Sequence, residues 1–165
     1  MNSAFKLVLG VHPSSRGFGW VLFDGPISPF DWGTADVRGG NTEALLRLDE
    51  ICEKYTPHAL TLEEFEQSRR VLRTRQLCGA IIALAEARRI SVHRYSREEI
   101  QTAHFPARTR QEVAEHVAAR IGLLARRLPK PRKLWDGEHP NMALFCAAAC
   151  VLAFYASAPG PAPTS

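Results

Sequence analysis

Apolar and polar positions along the chain change period several times, and each change marks a new element. Leu7, Val8 and Leu9 form an apolar run that ends in Gly10-Val11-His12. After the polar turn Pro13-Ser14-Ser15-Arg16, Phe18, Trp20 and Leu22 alternate with Gly19, Val21 and Phe23. Period-2 alternation on both sides of a short turn predicts a hairpin, with His12 where the first strand meets the turn. Read locally, this is a plain hairpin carrying a surface histidine. A third strand is predicted over 27–37, irregular at Pro29 and therefore at a sheet edge or bulge. Gly39-Gly40 breaks the chain. Asn41 or Thr42 can then cap a helix whose apolar positions Ala44, Leu45, Leu48, Ile51, Cys52 and Tyr55 recur at helical spacing. Thr56-Pro57 ends it.

His58 to Glu63 reads as a short strand entering the acidic cluster Glu63, Glu64 and Glu66. A long helix over 69–89 follows, with Leu72, Leu77, Ala80, Ile81 and Leu84 as its stripe, and then a strand over 90–95. Ser96 and Glu99 form a capping box for a short helix. Thr109 caps a further helix whose buried face is Val113, Val117, Ile121, Leu124 and Leu128. A proline-rich basic segment covers 129–139, and a nearly all-apolar, hence buried, helix covers 141–157. Residues 158–165, APGPAPTS, read as a flexible tail. Three strands followed by alternating helix and strand predict an α/β mixed sheet covered by helices on both faces, in a single domain over 1–157.

Composition narrows the class. The 165 residues suffice for one core, and 45% apolar with 23% charged residues is the balance of a soluble globular protein. No apolar run is long enough to span a membrane and no secretory signal precedes the first strand, so a cytoplasmic protein is expected. Cys52, Cys78, Cys146 and Cys150 lack CxxC spacing and read as reduced core thiols rather than a zinc site. The net charge is +4, and 17 of the 21 basic residues are arginine. The guanidinium fork suits phosphate, although the same clusters also fit solvated helix faces. His93 and His116 read as surface residues.

Three segments carry a family resemblance. GVHPSSRGFGW (10–20) matches G-(I/V)-D-P-G-x-x-x-x-G-(W/Y), LEEFE (62–66) matches (I/V)-E-x-x-F, and EHPNMALFCAAA (138–149) matches (D/H)-x-x-D-A-L-A-x-A. In this order the segments resemble the RuvC-like Holliday-junction resolvases of the ribonuclease H superfamily, over about 6–155. The resemblance implies a ribonuclease H-like sheet, a three-strand antiparallel meander extended by parallel strands. It also implies phosphodiester hydrolysis by two divalent ions, Mg²⁺ or Mn²⁺, held by carboxylates. The family's first-strand acid falls on His12, and its fourth-strand acid falls on Glu63. The final pair falls on His139 and Met142, or in the alternative register on Glu138 and Asn141. The implied catalytic set is therefore His12, Glu63, Glu138 and His139, with Glu63, His139 and Glu138 as metal ligands and Asp136 or Glu64 as substitutes.

That set keeps at most two carboxylates of the family's three or four, and a neutral imidazole does not bridge two hard cations. The resemblance also implies a branched-DNA partner, contacted by Arg16, Phe65, Arg69, Arg70, Arg73, Arg75, Lys130, Arg132 and Lys133, with Phe65 as a wedge. It implies a homodimer through the helix over 69–89, where Cys78-Gly79-Ala80 offers a small-residue face. Three readings follow: a branched-DNA-binding protein with a degraded or altered nuclease centre and no bound metal; an active Mg²⁺- or Mn²⁺-dependent endonuclease; or an assembly subunit that kept only the fold.

Overall fold

The computed structural model describes residues 7–64, 72–104, 107–131 and 139–157. A five-stranded sheet runs in the order β3-β2-β1-β4-β5. Its strands are β1 (Val8–Ser14), β2 (Gly17–Phe23), β3 (Pro29–Asp36), β4 (Ala59–Glu63) and β5 (Ser91–Tyr95). β1 to β3 form the antiparallel meander, whereas β4 and β5 add to β1 in parallel. This is the predicted ribonuclease H-like α/β sheet. β3 is an edge strand and its pairing with β2 shifts register at Leu22/Phe23. The strand begins at Pro29 rather than at residue 27, and Ile27 stands 63% exposed outside it.

Helices cover both faces. α1 (Asn41–Tyr55) and α2 (Leu72–Ala87) pack on one side. α3 (Arg97–Ala103), α4 (Arg110–Arg120) and α5 (Asn141–Ser157) pack on the other. Strand alternation sorts the core between them. Leu9, Val11, Leu60 and Leu62 join the α1–α2 cluster, while Val8 and Ala59 join the α5 cluster. With period 2, Gly10, His12, Thr61 and Glu63 point toward α5.

α5 buries most of its circumference because it is apolar all round. Two sheet glycines let it approach closely. A Cβ at Gly10 would lie 2.5 Å from the Ala147 carbonyl oxygen, and one at Gly19 would lie 2.4 Å from the Ala143 backbone carbon. The helix therefore runs over β1 and β2, with its N-terminus above the end of β1 that carries His12. Among the described residues no helix is long and apolar enough to cross a membrane.

Local signals are realised unevenly. Ser96 accepts from the Glu99 amide while Glu99 accepts from the Ser96 amide, and Thr109 accepts from the Glu112 amide. α1 is instead capped at Gly40, with no side-chain cap from Asn41 or Thr42; the Glu43 carboxylate accepts from the Gly39 amide. Thr56, at φ 44°, ends α1 as expected. The single helix predicted from Thr109 breaks at Ile121 and continues as a 3₁₀ turn, Gly122–Arg127. Leu72 is 63% exposed, and α2 buries Leu77, Cys78, Ile81 and Ala85. His93 is half-buried against Phe154, at 4.9 Å between ring centroids, rather than a surface residue, and His116 is also partly buried. Residues 158–165 lie outside the described residues.

His104, after α3, is 3% exposed, and its Nε2 donates to the Ala149 carbonyl at 3.2 Å. Among the described residues its Nδ1 finds no partner, and burial holds the imidazole below its usual pKa. The unfolded chain therefore takes up this proton more readily than the folded one. Stability should be fully present above the unfolded value, about 6.5, and fall as pH drops below it. The expected result is a urea midpoint constant from pH 7 to 8 and decreasing toward pH 5, with a flatter profile in His104→Gln. His93, also lowered by burial, acts in the same direction.

Candidate functional site

The parallel register of β1 and β4 ends at the pair Gly10–Thr61. Two residues further along each strand, on the same face, stand His12 and Glu63. By strand alternation both side chains lie on the sheet face that α5 covers. His12 is paired with Gly19 inside the β1–β2 ladder, two residues before the strand ends. At 2% exposed it is buried, which corrects its reading as a surface histidine at a turn.

Glu63 is 8% exposed. Its carboxylate accepts from Nη2 of Arg110 at 3.4 Å, an ion pair with side-chain exposures of 10% and 25%. Arg110 opens α4, just after the Thr109 cap. Arg97, Gln101, Phe145, Cys146 and Ala149 close a small cavity, about 20 Å³, around the pair. Burial pushes the Cys150 thiol well up, and the nearby Glu63 and Cys146 add to the shift. On its other side Glu63 borders a cleft of about 410 Å³ with Glu64, Leu72, Arg75, Gly79 and Arg94.

His139 borders a separate cleft of about 330 Å³, with Ser14, Ser15, Arg16, Thr34, Asp36 and Pro140. Its Nδ1 accepts from the Asn141 amide at 3.0 Å, so the exposed ring caps α5. Asn141 in turn donates to the Arg127 carbonyl, and Gln111 donates to that of Pro129. These bonds tie 127–129 to the starts of α5 and α4 and bring Lys130, which is exposed, to this end of the molecule. Arg73 is held by Asn41, through Nε and its carbonyl, and Arg75 borders the larger cleft. Phe65, Arg69, Arg70, Arg132, Lys133, Asp136 and Glu138 lie outside the described residues.

Arg94, Arg97, Arg110 and Asp36 were not foreseen as site residues. The link between Arg110 and Glu63 spans 47 positions, and no local pattern announces it.

A relative decides the family. The chain is 30% identical over 144 residues to the crossover junction endodeoxyribonuclease RuvC of Pelodictyon phaeoclathratiforme, covering 79% of this chain and 74% of that protein. The chain belongs to the RuvC family. Two solved structures share its fold. Thermus thermophilus RuvC in complex with a Holliday junction substrate gives a TM-score of 0.67 at 19% identity, covering 92% of this chain and 94% of that one. A further Thermus thermophilus RuvC structure gives 0.65 at 20% identity, covering 91% and 95%. No family model matches the chain.

Within this RuvC-family chain the described donors do not fit a pair of hard divalent ions, which need several oxygen ligands. Glu63 is the one acid on the shared face of β1 and β4, and Arg110 holds it. His12 offers a nitrogen. Met142, at one of the two positions the resemblance offers for the family's last acid, is 7% exposed in the core. Among the described residues no three His, Cys, Asp or Glu side chains are grouped to hold a metal ion.

Proposed function

We propose that this protein binds branched DNA of the Holliday-junction type through its RuvC fold, with an altered centre that does not carry out two-metal hydrolysis. The observation that carries the reading is the charge of the three clefts at the ends of β1 and β4. Arg16, Arg75, Arg94, Arg97 and Arg110 border them, against the acids Asp36, Glu63 and Glu64. Cations in grooves suit a phosphate backbone, and among the described residues an acid paired with arginine suits retention of DNA better than its hydrolysis. Family membership supports the branched form of the substrate, since the relative is named for crossover junctions. In the same reading Arg16, Arg73, Arg75 and Lys130 contact DNA. A second copy docks along α2, where a Cβ at Gly79 would meet no atom beyond its chain neighbours and its own helix backbone within 4 Å.

The test is a labelled four-way junction incubated with the protein in EDTA, Mg²⁺ or Mn²⁺, alongside linear duplex of the same length. The expected result is a shifted junction, preferred over duplex, recovered uncut in all three buffers. Metal-dependent cutting that is lost in Glu63→Gln would overturn the altered-centre reading and establish the active nuclease. Failure to bind junction or duplex would leave the assembly subunit.

A further inference from the structure

The ion pair at Glu63 suggests what took the place of the metals. We infer that Arg110 is the resident cation of this centre: its guanidinium neutralises Glu63 where a divalent ion would otherwise bind, and so keeps such ions out. This rests on the altered-centre reading and states its cause.

Glu63 is the only carboxylate that β1 and β4 bring beneath α5, and Nη2 of Arg110 already lies 3.4 Å from its Oε2. Arginine is the side chain that carries a permanent positive charge in proteins. A divalent ion coordinating the same carboxylate would sit close to it, in a pocket lined by Ile100, Val113, Phe145 and Ala149. Arg97 borders the same cavity and adds a second positive charge. The adjacent strand contributes His12, an imidazole rather than a carboxylate, which brings no negative charge to offset them.

The backbone of Arg110 is well anchored. Thr109 caps α4 immediately before it, Gln111 immediately after it is bonded to Pro129, and Val113, Ala114 and Val117 bury the helix. The guanidinium is thus presented to Glu63 by the fold, in the way a bound ion would be presented by its ligands.

Mn²⁺ binding to the DNA-free protein, followed by electron paramagnetic resonance, tests this without any nuclease activity. Wild type and Arg110→Lys, which both keep the positive charge, are expected to bind Mn²⁺ weakly and alike. Arg110→Gln should bind it at least about tenfold more tightly, because the repulsion is gone. The gain should vanish in Arg110→Gln/Glu63→Gln. Far-ultraviolet circular dichroism checks that each variant is folded, and Arg110→Lys separates the loss of charge from a loss of packing. Equal Mn²⁺ affinity in wild type and Arg110→Gln would overturn the inference, as would a gain that survives removal of Glu63. The outcome is independent of junction binding, so failure of the DNA reading and failure of this one are told apart.

Discussion

Gly19→Val should destabilise the protein by about 3 kcal/mol or more, at the upper end of what overpacking costs. The physical reason is that a Cβ at residue 19 would stand 2.4 Å from the Ala143 carbon and from the Leu144 nitrogen. Both atoms belong to the backbone of α5, so no side-chain rotation relieves the clash, and the helix must lift off β2. That movement also opens the space above His12, which faces Gly19 across the ladder. Urea denaturation measures the loss. Gly79→Ala is the natural contrast: it is helical and a Cβ there meets nothing within 4 Å. In the monomer it should stabilise the chain by about 0.5–1 kcal/mol through the entropy of the unfolded state. A Gly19→Val variant within about 1 kcal/mol of wild type would show that α5 does not rest on β2 as described.

The second large effect is expected from salt. If Arg16, Arg73, Arg75 and Lys130 meet backbone phosphates, each contact releases counterions, and affinity falls steeply with ionic strength. For these four contacts, raising salt from about 50 to about 200 mM should weaken junction binding by about 10²-fold. Replacing Arg75 by alanine should lower affinity for junction and duplex together and shallow the logarithmic salt slope by about one unit. Fluorescence anisotropy over a salt series reads both. A flat salt response would show that the clefts do not hold phosphate.

The comparison of sequence and structure turns on the range of each interaction. The hairpin, α1, β4, β5 and α5 were legible because each is written in a local period: alternation for Phe18 to Phe23, helical spacing for Ala44 to Tyr55, unbroken apolarity for 141–157. The capping box at Ser96 and the cap at Thr109 were legible because their partners lie three residues away. Where the outcome depended on competing neighbours, local signals failed. Gly40 rather than Asn41 caps α1, while the Asn41 side chain bonds Arg73 across to α2. Leu72 fits the stripe of α2 yet stands exposed at the helix start, beside the Glu63 cleft.

The sequence by itself determined the fold class and, through the resemblance, which residues to expect at the family's catalytic positions, since motif order and periodicity survive without coordinates. It could say that His12, and either Met142 or Asn141, stand where the resemblance expects acids. Only the tertiary structure decided what those replacements mean. His12 is buried in a ladder rather than exposed at a turn, because β1 runs on to Ser14 and α5 closes over Gly19. Glu63 faces Arg110 because β4 and the start of α4, 47 residues apart, converge on the same edge of α5. Charge neutralisation of this kind depends on distance in space, and distance in space is what a one-dimensional pattern does not carry.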